Sequence, residues 1–143
     1  MLTKKAKYGL KAMFFLARQY KKNTEPILIS LIAKKERIPK KFLEIILLEM
    51  RKQGLLHSTM GKGGGYNLAK PPDKISLGQI IRILDGPLAA VTCVSITAYR
   101  RCDECIDEKT CEIRRVMKQV RDATASILDE TSLTQAMKSK IVH

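Results

Sequence analysis

Residues 39–68, PKKFLEIILLEMRKQGLLHSTMGKGGGYNL, restrict the possible folds more than any other part of this chain. Phe42, Ile45, Ile46 and Met50 recur at helical spacing and predict a helix with one apolar face. Gly54 marks its end, because glycine enters the left-handed conformation without steric penalty. Residues 55–59 and 66–68 then read as two short strands around Gly61, Lys62, Gly63, Gly64 and Gly65. A helix that stops at glycine and runs into a basic, glycine-rich hairpin predicts a winged helix-turn-helix.

The flanking sequence completes such a module. Tyr8, Leu10, Met13, Phe14, Leu16 and Ala17 predict a first helix over residues 3–20, ended by the polar stretch before Pro26. Ser30 is a candidate cap for a short second helix over 31–36, and Ile38-Pro39 makes the tight turn into the third. After the wing, Pro71-Pro72 breaks the chain, and Ser76 opens a helix that stops at Asp85-Gly86-Pro87.

Residues 88–109 carry few helix cues and read as a loop. From Thr110 the pattern turns helical, with Ile113, Val116, Met117, Val120, Ala123, Ile127 and Leu128 expected on one face. Some 20 residues of helix would be about 30 Å long. That offers more apolar surface than one small module can cover, so the helix is expected to pair with its counterpart in a homodimer. A two-fold dimer would present two recognition helices and so predicts a pseudo-palindromic double-stranded DNA operator. The fold expected is mainly α with a small β-hairpin, a winged helix-turn-helix plus a long C-terminal dimerisation helix. Its divisions are 1–86 for the DNA-binding module, 87–109 for a cysteine-bearing sensor loop, 110–133 for the dimerisation helix and 134–143 for a mobile tail.

Charge agrees with this division. Of a formal net +13, residues 1–74 contribute +12, from 17 Lys and Arg against 5 Asp and Glu. A basic module joined to a nearly neutral one suits phosphate binding by the first and a different task for the second. The lysine-rich start, Met1 to Lys11, is followed by an apolar run too short for a signal peptide, and no run spans a membrane. A cytoplasmic location is expected, where thiols stay reduced. The four cysteines therefore read as ligands or redox groups rather than structural disulfides.

Catalytic readings are poorly served. The glycine run is not followed by a helix, as a nucleotide-binding phosphate loop requires. With only His57 and His143, no histidine-based triad can be assembled. Cys102 and Cys105 form a C-x-x-C, but not at the start of a helix after a strand, as a thiol-disulfide oxidoreductase would have it. The chain is expected not to be an enzyme.

The segments ILISLIAKKERIPKKFLEIILLEMRKQGLL and GKGGGYNLAKPPDKISLGQIIRILDG, with the cysteine loop leading into the long helix, resemble the IscR/NsrR/CymR group of bacterial transcription regulators over about residues 1–135. The resemblance implies a homodimer on promoter DNA, often with an iron-sulfur cluster whose state controls affinity. By motif match, Lys40, Lys41 and Glu44 lie early in the recognition helix, and Thr59, Lys62, Gly64 and Tyr66 in or beside the wing. Lysines there would bind phosphate or guanine, and Glu44 would accept from a cytosine amino group. Tyr66 either faces DNA or packs under the wing.

Cys93, Cys102, Cys105 and Cys111 are separated by eight, two and five residues. Four thiolates are enough for a [2Fe-2S] or a [4Fe-4S] cluster, which aerobic purification can remove. Cluster-binding members of the group usually have three cysteines and take a fourth ligand elsewhere. Here Arg114 stands three residues after Cys111, Lys7 and Tyr8 stand in the first helix, and the extra cysteine of the Cys102/Cys105 pair is the available substitute. Arg100, Arg101, Arg114 and Arg115 would offset a cluster's negative charge. Tetrahedral zinc, a metal-free thiol switch and a cofactor-free regulator controlled by a protein partner are the competing readings.

Overall fold

A computed structural model describes residues 2–22 and 25–138. In chain order the elements are α1 (Lys4–Gln19), α2 (Ile29–Glu36), α3 (Lys40–Lys52), β1 (Leu56–Thr59), β2 (Gly65–Leu68), α4 (Leu77–Asp85), α5 (Glu112–Glu130) and α6 (Leu133–Lys138). Short 3₁₀ turns lie at Pro72–Lys74 and Thr92–Val94. The architecture is mainly helical with one antiparallel hairpin, as expected.

The core forms where α1, α3 and α4 meet the base of the hairpin. Met13, Ile32, Leu43, Ile46, Leu47, Met50, Leu56, Ile75 and Ile80 are fully buried there. Each buried branched or long side chain contributes about 1.5–3 kcal/mol relative to exposure. Gly9 of α1 allows close approach to α4, since a Cβ there would lie 2.1 Å from Leu84 Cδ1. Ion pairs tie α1 to the helix-turn-helix: Lys5 Nζ to Glu49 Oε1 and Arg18 to Glu36 Oε1, both at 2.8 Å.

Several local signals act as expected. Gly54 is left-handed (φ 82°) and closes α3, with Leu55 N donating to Met50 O at 3.0 Å. Ser76 and Gln79 form a reciprocal capping box on α4, and Gly86 ends it.

Other expectations need correction. The inward stripe of α3 is Leu43, Ile46, Leu47 and Met50, whereas Ile45 is 54% exposed. This helix is apolar on two faces, so periodicity alone left its phase open by about one residue, or about 100° of rotation. Helix α2 begins at Ile29 after Leu28, without a side-chain cap, so Ser30 lies inside it. The expected tail 134–143 begins as helix: Ser132 Oγ accepts from Gln135 N at 3.1 Å, Gln135 Oε1 accepts from Ser132 N at 2.9 Å, and Leu133 is fully buried. Residues 139–143 of that tail lie outside the described residues.

The return of the chain after α5 fixes the long helix to the DNA-binding module. Leu77 N donates to Thr131 O and Leu133 N to Ile75 O, both at 2.9 Å, making a bridge between Ser76 and Ser132. Arg82 of α4 forks onto Asp129 of α5 at 2.5 and 2.8 Å. That pairing raises the Arg82 guanidinium and holds the Asp129 carboxyl below its ordinary value. Among the described residues no helix is long and apolar enough to cross a membrane.

Candidate nucleic-acid interface and cysteine loop

Helix α3 presents Lys40, Lys41 and Glu44 to solvent near its start. Its first turn contains no acidic residue, so both lysines oppose the helix dipole, at about 0.3–1 kcal/mol each. A phosphate at this end would reverse the sign, meeting lysine charge and helix N-terminus together. The turn before α3 holds Arg37 in the left-handed conformation (φ 55°), the one non-glycine residue so placed among the described residues. Arg37 is exposed, as are Lys34 and Lys35 at the end of α2.

The wing is the β1–β2 hairpin, with Leu56 opposite Leu68, His57 opposite Asn67, Ser58 opposite Tyr66 and Thr59 opposite Gly65. At its tip Gly64 N donates to Gly61 O at 3.0 Å, and Gly63 has φ 79°. A turn with a left-handed third residue needs glycine there and places Lys62 at the exposed apex. Thr59 is exposed, whereas Gly64 is buried, and a Cβ on it would lie 2.1 Å from Thr59 O.

Of the two readings of Tyr66, the structure selects packing under the wing. Its ring is 9% exposed within the core, and its backbone exchanges two 2.9 Å hydrogen bonds with Ile27. Tyr66 and Gly64 thus shape the wing from within, while Lys62 and Thr59 are available to a ligand.

The cysteine loop between α4 and α5 is braced at two points. Val94 is buried against α5, and Arg121 Nη1 of α5 donates to Val94 O at 2.6 Å, next to Cys93. Cys111 is the N-cap of α5, its Sγ accepting from Arg114 N at 3.5 Å. Between these points Cys105 N donates to Cys102 O at 3.1 Å, placing both cysteines in one turn. Tyr99 OH donates to Glu108, which raises the phenol and closes the loop around that turn. Arg101 Nη2 donates to Ile106 O at 3.4 Å, and the nearby Cys105 side chain raises the Arg101 guanidinium above its ordinary value.

Arg121 was not foreseen from sequence. Its signal is spacing: Arg114, Met117, Arg121 and Leu128 share the side of α5 that is partly covered by its own chain. The other side carries Ile113, Val116, Val120 and Ile127, between 44% and 67% exposed. The single apolar face expected for this helix is therefore divided, with Met117 and Leu128 turned inward, and no residue of α5 is fully buried.

As folded here, the four thiols do not fit an iron-sulfur or zinc site. Among the described residues no group of three or more His, Cys, Asp or Glu side chains lies where it could hold a metal ion. Cys102 is exposed, and Cys93, Cys105 and Cys111 are partly covered at separate points of the loop.

A helix-turn-helix with a basic wing, anchored to a long helix through a cysteine loop, defines the class of winged-helix transcription regulators. Residues 2–139 match the family model Rrf2, described as iron-dependent transcriptional regulator, and the chain belongs to that family. An rrf2-like HTH-type transcriptional regulator of Rhodobacter capsulatus is 40% identical over 134 residues, covering 93% of this chain and 89% of that one. The regulator CymR of Bacillus subtilis is 31% identical over 132 residues, covering 92% and 86%. The solved structure of CymR, the global cysteine regulator of B. subtilis, superposes with a TM-score of 0.77 at 29% identity, covering 98% of each chain. That of T. potens IscR gives 0.74 at 28% identity, covering 96% of this chain and 86% of that one. The protein is accordingly a DNA-binding transcriptional regulator and not an enzyme.

Proposed function

We propose that the chain acts as a homodimer on a pseudo-palindromic operator, and that the chemical state of its cysteine loop sets operator affinity. The observation that carries this reading is the double attachment of the loop to α5, through Arg121 on Val94 and through the Cys111 cap. A change at the thiols reaches the helix whose exposed Ile113, Val116, Val120 and Ile127 stripe would join two protomers. It would thereby alter the spacing of the two winged modules. Lys40, Lys41, Glu44, Thr59 and Lys62 face the DNA, with Gly64 and Tyr66 shaping the wing. A tenfold change in occupancy needs only about 1.4 kcal/mol between the two states.

Two chemistries compete for the loop. Iron-sulfur control is supported by four cysteines within 19 residues and by the description of the family. It requires the loop to gather three or more thiols at one point, which this arrangement does not do. A thiol switch, with or without a protein partner, is favoured by the Cys102–Cys105 turn and its Arg101 contact, and by the likeness to CymR.

Anaerobic purification, a visible absorption spectrum and iron, sulfide and zinc assays per chain separate them. A brown protein with matched iron and sulfide is the iron-sulfur outcome. A colourless, metal-free protein whose DNA affinity responds to oxidant is the thiol outcome. Unchanged affinity for selected DNA in Cys105→Ser, in metal-stripped and in oxidised protein would discard loop control altogether.

A further inference from the structure

The outward stripe of α3 is formed by Lys41, Glu44, Ile45 and Leu48, all exposed and spaced three, four and seven residues from the first. Ile45 is 54% and Leu48 38% exposed, although Leu43, Ile46 and Leu47 beside them are fully buried. Scattered exposed apolar residues are ordinary. These two are instead adjacent turns of one helix face, in a field of exposed cations: Lys34, Lys35, Arg37 and Lys40 before them, Arg51 and Lys52 after.

That field argues about the occupant. A second copy of the same face would bring lysine and arginine against lysine and arginine, whereas a polyanion matches it. Resting on the assignment of α3 as recognition helix, we infer that Ile45, with Leu48 one turn further, recognises thymine through its C5-methyl group in the major groove.

The chemistry is selective. Major-groove base edges offer hydrogen-bond donors and acceptors, and only thymine adds an apolar methyl. A branched aliphatic side chain can pair with none of the polar groups. Set against guanine or cytosine it would strip water from them without replacement, which is unfavourable. Against thymine it buries methyl on methyl. From Lys41 to Leu48 the helix rises about 10 Å, the length of about three base steps. Lys41 and Ile45, about 6 Å apart along the axis, therefore fall about two steps apart, so the operator half-site should carry a thymine within about two base pairs of the base pair or phosphate that Lys41 meets.

Deoxyuridine differs from thymidine only by the missing methyl, so it tests the contact without altering any hydrogen bond. Duplexes are first selected from a random pool with the full-length protein, then remade with each thymine replaced in turn by deoxyuridine. Anisotropy titrations follow with wild type and with Ile45→Ala, a substitution at an exposed position that leaves the core intact. Wild type is expected to lose about fourfold in affinity at one thymine per half-site, and Ile45→Ala to bind the two versions of that duplex equally. The inference is overturned if no replacement weakens wild-type binding, or if the variant loses as much as wild type at the same position. It also fails if Ile45→Ala changes the mass in solution while every replacement remains silent, since the face would then meet another copy. Selection that enriches no duplex at all would instead remove the assignment of α3 on which the inference rests.

Discussion

Gly65 and Tyr66 show how much a single backbone position decides in this wing. A Cβ on Gly65 would lie 2.1 Å from Ile27 O and 2.4 Å from the Ile27 carbonyl carbon, groups that cannot swing aside as a side chain could. Gly65→Ala should therefore open the Ile27–Tyr66 bridge and cost about 1–3 kcal/mol, read as a lower urea midpoint at unchanged slope. Lys62, at the exposed apex of the same hairpin, should behave in the opposite way. Lys62→Ala should leave the midpoint within about 0.5 kcal/mol and lower the salt slope of DNA binding by about one. The glycines and Lys62 were legible because turn chemistry is local. The burial of Tyr66 was not, because it depends on residue 27, 39 positions away in the chain.

Elements were legible where their ends carry chemistry and illegible in phase where both faces are apolar. Ser76 announced α4, where the structure adds Gln79 to complete a capping box, and Ser132-x-x-Gln135 opens α6 by the same chemistry, although the weak pattern after it obscured the signal. Ser132→Ala should cost about 1 kcal/mol by losing a helix cap at a fully buried junction, measurable by denaturant unfolding.

The α4–α5 contact supplies a pH prediction. The Asp129 carboxyl lies below its ordinary value because Arg82 pairs with it. Its contribution is thus present above about pH 4 and lost as pH falls through the depressed value. Both partners are more than a third exposed, which limits that contribution to about 0.2–1 kcal/mol. Wild type should lose this amount between pH 7 and pH 3, and Asp129→Asn should not. Equal losses in both proteins would show that the pair contributes nothing.

At the scale of the whole molecule, charge and the long helix set the behaviour. With a net +12 in residues 1–74, DNA affinity should fall roughly 10³ to 10⁵-fold between 50 and 200 mM salt, if about 6–10 phosphates are neutralised. A flat salt profile would contradict the phosphate-binding role of that half. Helix α5 buries nothing fully in its own chain, so Val120→Asp should leave the fold intact and yield a monomer by sedimentation equilibrium with weaker operator binding. Retention of a dimer would move the interface elsewhere.

The sequence by itself determined the winged helix-turn-helix, the position of its wing, the basic half of the chain and the place of the cysteine loop. Each of those rests on turn residues, caps and charge, which act over a few positions. The tertiary structure alone decided which face of α3 looks outward, how α5 divides its apolar residues, that Arg121 holds the loop, and that no three of the thiols gather at one point. These depend on which surfaces meet in space, and an apolar side chain reads the same in a sequence whether it ends in the core or in the groove of a ligand.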